Sequence, residues 1–261
     1  MKKLNEPILD LKTFDNPFAR IYQKGKRDSL WDLEIDWNRA HQEKMSPKLE
    51  EAAYHVSSMS SHVEQVGMLN AAILLQNCTS FSLRLALGQA IMDEARHAEV
   101  FTKYAYLRGG KILTNGSDAD ELNDHFSNLD SFELVFLSHV YLENLALEQF
   151  HIFIEIFDGY LLSDLYRGAL ADEARHVALG VAYFQILCQK KPEYIPVLLN
   201  HLKENKNILG VDPVGIKRLA EMTGWPSEKI RLRMESREQA FIEKLKKEIS
   251  QPAPSSKKVA V

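Results

Sequence analysis

From Pro47 onward apolar residues recur every three or four positions with no proline inside the runs, which is the period of helices buried along one face. Four such runs precede residue 191, at about Ser46 to Asn77, Ser80 to Arg108, Asp130 to Phe157 and Leu161 to Lys190. Gly109-Gly110 stops the second and Pro192 stops the fourth. Helices of roughly 28 to 32 residues span about 40 to 48 Å, which is long for a globular domain and usual for a four-helix bundle. The polar stretch TNGSDADELNDHFSN between the second and third runs is long enough for a crossover connection. Residues 192–249 predict two or three further helices packed outside, broken near GVDPVG and GWPSE. Residues 1–41 mix prolines, aromatics and charges and predict irregular structure with short helices wrapped on the bundle, and QPAPSSKKVAV at 251–261 has the composition of a tail. The expected fold class is therefore all-α: a four-helix bundle with an N-terminal segment and C-terminal helices. Residues 1–250 form one domain in this reading, with its core at about 46–190 and accessory helices at about 192–249.

Composition narrows the function classes more than the fold. A chain of 261 residues, 45% hydrophobic and 26% charged, can bury one substantial core. The formal charge of -4 is spread along the sequence and does not suit an electrostatic nucleic-acid binder. The start, MKKLNEPILDLKTFDN, has no apolar signal region, and the longest apolar runs fall short of a membrane span. The expectation is a cytoplasmic protein with neither nucleic acid nor membrane as partner. Cys78 and Cys188 are too few for a disulfide framework and read as reduced core thiols.

The chemistry lies in a repeat. MDEARHAEVFTKY starts at Met92, and ADEARHV returns at Ala171. In each copy Glu and His are three apart, so on a helix they share a face about 60° wide. Glu94 pairs with His97 and Glu173 with His176. The offset of 79 residues also carries Glu64 to Glu143, Phe81 to Tyr160, Ala90 to Ala169 and Tyr104 to Tyr183. Glu64 precedes Glu94 by 30 residues and Glu143 precedes Glu173 by 30. The chain thus reads as a duplicated helical hairpin, with a lone Glu on one helix and Glu-x-x-His on the next. Four carboxylates and two imidazoles converging inside a bundle are costly to bury unless cations sit among them. Two divalent metals answer that cost, and an oxygen-rich set with two nitrogens suits iron or manganese better than structural zinc.

On these residues the sequence resembles the ferritin-like di-iron oxygenase and oxidase superfamily, which includes bacterial multicomponent monooxygenase hydroxylases, ribonucleotide reductase small subunits and enzymes of the p-aminobenzoate N-oxygenase type. The likeness covers about Ser46 to Lys190, and RIYQKGKRDSLWDLEIDW, from Arg20 to Trp37, also resembles the lead-in of some small oxygenases of the group. The resemblance implies metal ligands at Glu64, Glu94, His97, Glu143, Glu173 and His176. It implies that Asp93 and Asp172 accept hydrogen bonds from ligand imidazoles, with Arg96 and Arg175 neutralising them; ordinary salt bridges within each helix are the competing reading. The N-oxygenase type carries a further His one turn before the second motif's Glu, where this chain has Ala169. His139, one turn before Glu143, is the remaining candidate for an extra ligand, or a satisfied core or surface histidine. Tyr104 and Tyr183, seven residues after the ligand histidines, suit either a redox-active tyrosine or core packing. His41, His55, His125 and His201 have no partner at ligand spacing and read as solvated or capping. Glu148 and His151 form a further Glu-x-x-His, but the offset maps them to Leu69 and Ala72, so they read as a surface or inter-helix polar pair.

The resemblance implies a cofactor of two Fe ions, or Mn and Fe, and an O2-activating oxygenase that hydroxylates or N-oxygenates a small organic substrate. An electron donor, reductase or ferredoxin, goes with that reading, and a homodimer is compatible with it. The alternatives are a di-metal oxidase, a ligand-binding or radical-generating protein, and an iron store. Storage ferritins are shorter, nearly bare bundles, whereas here about 45 residues precede the bundle and roughly 70 follow it. Around the site Ser60, Gly67, Ala71 and Ala146 are small, which suits either room for oxygen and substrate or close helix packing.

Overall fold

The structure is a computed structural model that describes residues 16–114, 117–205 and 213–250. All regular structure in these residues is helical. In chain order the elements are α1 (Pro17–Asp28), a 3-10 turn (Trp31–Glu34), α2 (Arg39–Gln42), α3 (Pro47–Asn77), α4 (Phe81–Gly109) and α5 (Ser117–Ser127). They continue with α6 (Phe132–Ile156), α7 (Leu161–Lys190), α8 (Tyr194–Glu204), α9 (Pro213–Thr223) and α10 (Ser227–Ser250). The four long helices fall within two residues of their expected ends. Among the described residues no helix is long and apolar enough to cross a membrane.

Local chemistry sets these ends. Ser46 accepts a hydrogen bond from the Leu49 N–H at 3.4 Å, with Pro47 in the first turn, and Ser131 caps α6 at Leu134 N, 3.2 Å. Gly110 closes α4 in the left-handed region at φ 69°, and its N–H reaches Tyr106 O at 2.9 Å. The first turn of α7 is satisfied from a distance: the Leu161 N–H donates to Glu43 Oε1 at 2.6 Å, so the loop after α2 caps a helix 118 residues on.

α3 packs along α4 and α6 along α7, each pair an antiparallel hairpin joined by a short loop. α1 lies across α4 and α7, and α10 lies against α6 and α7. The core has two apolar parts. One holds Leu74, Leu87, Leu137, Val140 and Phe184; the other holds Ala53, Val56, Phe101, Phe153 and Tyr166. Along each long helix the repeated Glu and Glu-x-x-His residues fall between them, so a charged layer separates two apolar plugs. Cys78 and Cys188 are buried thiols, as expected.

Two expectations need correction. The polar link between α4 and α6 contains the 11-residue helix α5. Ala119, Leu122 and Phe126 fall on one face at helical spacing and join the core, a stripe too short to stand out from its polar surroundings. His201 is not solvated: it is 6% exposed, shares a hydrogen bond of 2.8 Å with buried Ser138, and its ring lies 6.3 Å from that of half-buried His125. Burial lowers the pKa of both imidazoles. The 251–261 tail, and the first half of the GVDPVG break, lie outside the described residues.

Candidate metal centre

The duplicated hairpin fixes the level of each carboxylate. Residue 79 lies midway between Glu64 and Glu94 in the first hairpin, and residue 158 midway between Glu143 and Glu173 in the second. Antiparallel helices meeting at those turns therefore bring each lone Glu level with the Glu of its partner's motif. Two overlapping donor sets result. Glu64, Glu94, His97 and Glu173 form one, and Glu94, Glu143, Glu173 and His176 the other, with one ligand atom from each residue within 4.8 Å of the rest of its set. Glu94 and Glu173 belong to both sets, so both ions of a pair would draw on them. The structure thus brings all six expected ligand residues to one buried centre.

The bonding of these atoms tests whether they fit a metal pair. His97 Nδ1 lies 3.0 Å from Glu173 Oε1 and 3.4 Å from Glu64 Oε2, yet none of these approaches is a hydrogen bond by geometry. Glu94 Oε1 and Glu173 Oε1 are likewise buried without a hydrogen-bond partner. Unpaired buried polar atoms are rare and costly. Here they crowd around a common point without pointing at one another, which fits lone pairs that share a cation. Gly67 completes the cradle: a Cβ there would stand 2.8 Å from Glu94 Oε2, so its missing side chain is the space the carboxylate occupies. At this glycine the small residue serves close packing.

For the polypeptide alone, protons do part of the cations' work. Burial drives Glu64 well above the usual carboxylate range. Burial, with the charges of Glu173 and Glu94, does the same at Glu143. Burial opposes ionisation of Glu173, but hydrogen bonding from Glu143 and the charge of His176 hold it well below that range, so one proton of the pair sits on Glu143. Burial disfavours the charged imidazoles too, yet His97 is raised well above its ordinary value by Asp172 and nearby carboxylates, and His176 by Glu173 and Asp93.

Beneath the donor sets the aspartates and arginines form a crossed lattice. Asp172, on α7, accepts from His97 Nε2 on α4 at 3.1 Å, and Asp93, on α4, accepts from His176 Nε2 on α7 at 3.3 Å. Each aspartate serves the histidine of the other motif. A carboxylate can only accept, so the imidazole proton stays on Nε2 and Nδ1 is turned to the centre. Arg96 donates to Asp172 at 2.7 Å and to Asp93 at 3.0 Å; Arg175 donates to Asp93 at 3.0 Å and also to Asp172. The arginines therefore do neutralise the aspartates, partly across the helix interface. Burial pushes both aspartates up, but hydrogen bonds from His176 to Asp93 and from His97 to Asp172, aided by the arginine charges, leave them below the ordinary range.

Each aspartate takes one more donor that the sequence reading did not assign. The Trp31 indole N–H reaches Asp172 Oδ2 at 2.9 Å, and Gln89 reaches Asp93 Oδ1 at 2.9 Å. Gln89 and Gly168 are 79 residues apart, so they are repeat equivalents. A Cβ on Gly168 would stand 2.3 Å from the Trp31 ring, and that absence admits the indole. Asp32 also meets Arg96 at 3.3 Å. The Arg20 to Trp37 lead-in was the one signal for this segment, and no helical period reaches it.

The remaining candidates are not members of the donor sets, though His139 lies against one of them. His139 is buried, with Nε2 3.4 Å from Glu143 Oε1 and its ring stacked 6.4 Å from that of His176. Burial lowers its pKa to about 4. Tyr183 donates to Glu133 at 3.3 Å and packs among Phe132, Phe136 and Phe184. The Tyr104 hydroxyl is buried without a hydrogen-bond partner. A third tyrosine, Tyr166, is fully buried and shares a 2.9 Å hydrogen bond with Ser60, one turn before Glu64. Glu148 forms an inter-helix pair with Arg233 at 2.6 Å, while His151 is exposed.

No family model matches the sequence, and no curated protein matches it. Solved structures do. A valine-to-alanine variant of an R2-like ligand-binding oxidase with an anaerobically reconstituted Mn/Fe cofactor aligns at 18% identity over 94% of this chain and 99% of that chain, with a TM-score of 0.73. A valine-to-isoleucine variant with an aerobically reconstituted Mn/Fe cofactor aligns at 17% identity over 91% and 95% of the two chains, with a TM-score of 0.72. The two likenesses span more than nine-tenths of each chain, and the protein has the ferritin-like helical-bundle fold of the R2-like ligand-binding oxidases.

Proposed function

We propose that the protein is a di-metal oxidase that holds an Mn/Fe or Fe/Fe pair between Glu64, Glu94, His97, Glu143, Glu173 and His176 and uses oxygen to oxidise a small organic molecule. The observation that carries this reading is the pair of overlapping, buried donor sets, in which His97 Nδ1, Glu94 Oε1 and Glu173 Oε1 converge with no hydrogen-bond partner. The Mn/Fe cofactors of the structural neighbours support it. When bound, the metal pair supplies electrons to oxygen and the oxidising power that follows. The chain's own part is positional. Asp93 and Asp172 fix the ligand imidazoles, Arg96 and Arg175 hold those aspartates ionised, and the two apolar plugs keep bulk water from the charged layer. Insertion of oxygen into the substrate is the finer form of the proposal, and electrons for repeated turnover then come from an external donor.

Anaerobic loading with Mn(II) and Fe(II), metal analysis, and mixing with oxygen test the reading. We expect ~2 metal ions per chain and an oxygen-dependent change in the metal absorbance. Glu94→Ala and Glu173→Ala each remove a residue common to both sets, so each should lose most of the metal while the far-UV spectrum stays helical. Full occupancy and undiminished oxygen reactivity in both variants would overturn it.

A further inference from the structure

Asn70 lies outside the donor sets and uses none of its hydrogen-bonding capacity. It is 1% exposed, and neither its amide oxygen nor its amide nitrogen has a hydrogen-bond partner. A carboxamide offers two donors and an acceptor with two lone pairs, and buried polar groups of that kind are nearly always satisfied. Its place on α3 is informative. Asn70 follows Gly67 by three residues, about 4.5 Å along the axis and about 60° around it, and Gly67 faces the Glu94 carboxylate. Val66 and Leu74, one turn to either side, belong to the apolar plug beside the charged layer. Asn70 is thus a polar exception in an apolar wall next to the centre.

Two further observations bear on what it meets. A surface cleft of about 200 Å³ between α3 and α5 is lined by Val66, Leu69 and Ala119 together with His62, Gln65, Asp120 and Asn123; Asn70 does not line it, but Val66 and Leu69 belong to the same two turns of α3. The repeat equivalent of Asn70, 79 residues on, is Gln149, which is exposed. Duplication therefore does not demand a buried amide at this position.

We propose that Asn70 is the polar anchor of an organic-substrate site, its carboxamide hydrogen-bonding the hydroxyl or carbonyl of an uncharged small molecule whose hydrocarbon part lies against the neighbouring apolar wall. A neutral amide offers no counter-charge, so it matches an uncharged polar group better than an ion, whose burial without a counter-charge is costly. The inference rests on the di-metal oxidase reading and deepens it by naming the substrate class.

The test uses the full chain loaded with Mn and Fe, with n-hexanol, hexanamide and n-hexane as probes. Binding is followed by titration calorimetry and by the shift in Tm, and metal content is measured throughout. Hexanol and hexanamide should raise the Tm of the wild type by a few degrees. Asn70→Leu, close in shape, should bind both about tenfold more weakly, bind hexane as the wild type does, and show an unchanged or higher Tm without probe. Asn70→Ser, a second variant that keeps a hydroxyl, should bind hexanol with intermediate affinity. The anchor is overturned if the wild type takes up neither polar probe, if both variants bind them as the wild type does, or if Asn70→Leu alone collapses the Tm, which would mean the amide is needed by the fold. A wild type that never holds two metals would sink the oxidase reading instead, and the metal analysis separates the two failures.

Discussion

At the scale of single residues, the convergence of the six carboxylate and imidazole residues was legible because a duplication writes it twice. Glu148 shows why that mattered. It has a Glu-x-x-His of its own, but five residues along a helix from Glu143 turn through about 500°, leaving it about 140° away from that glutamate's direction. The structure places Glu143 in the second donor set and ties Glu148 to Arg233 on α10. Glu143 contributes to one set only, so Glu143→Ala should lower the metal content toward ~1 ion per chain and abolish oxygen chemistry. Glu148→Ala should keep both metals and lose at most about 1 kcal/mol, the scale of a partly exposed ion pair. Metal analysis and a melting curve on the two variants decide the matter; loss of metal in Glu148→Ala with retention in Glu143→Ala would reassign the ligand. Trp31 and Gln89 were not legible in the same way. Neither belongs to a motif: Gln89 reaches Asp93 from one turn earlier on α4, a contact that helical spacing allows but does not single out, and Trp31 matters only once the 3-10 turn and Gly168 bring it to Asp172.

At the scale of elements, the two hairpins are near copies that have diverged around a common centre. Ser60 and His139 are repeat equivalents, as are Leu87 and Tyr166. One hairpin therefore meets a Ser60–Tyr166 hydrogen bond beside its lone glutamate, and the other a buried neutral imidazole. Gly67 and Ala146 are equivalent too, and here the difference is a single methyl group. Glycine inside a helix costs about 1 kcal/mol relative to alanine, so α3 gives up local stability where the Glu94 carboxylate approaches. Gly67→Ala should consequently leave the metal-free protein as stable or up to about 1 kcal/mol more stable, since Glu94 can swing away, while weakening metal binding several-fold. Chemical denaturation without metal and a competition titration with a chelator measure the two effects. A variant that binds metal as tightly as the wild type would show that the close approach carries no function. Helix boundaries were legible at the same scale because caps and glycine stops are local. α5 was not, since its apolar face becomes a face only once the bundle gives it something to cover.

At the scale of the whole molecule, the charged layer makes stability, pH and metal content one linked quantity. Glu64, Glu143, His97 and His176 all have folded-state pKa values raised above their ordinary ones. The metal-free folded chain therefore holds protons that the unfolded chain has already released, and its stability falls as pH rises from the ordinary carboxylate value of about 4.5 through and beyond the ordinary histidine value of about 6.5. Asp93, Asp172 and Glu173 are lowered and act in the opposite sense, but their stabilisation is lost only below the ordinary carboxylate range, on the acid side of that window. Metals must displace the same protons, so their affinity strengthens as pH rises. With chelator present, Tm should decline between about pH 6.5 and 8, above the range in which His125, His139 and His201, lowered by burial, oppose the decline; with Mn and Fe in excess the decline should vanish or reverse, because bound cations stabilise the fold by mass action. Proton release on metal binding, measured by calorimetry in buffers of different ionisation enthalpy, gives an independent count. Metal-free stability that rises with pH, or metal binding that releases no protons, would mean that the buried layer is not the centre on which the fold and its chemistry jointly depend.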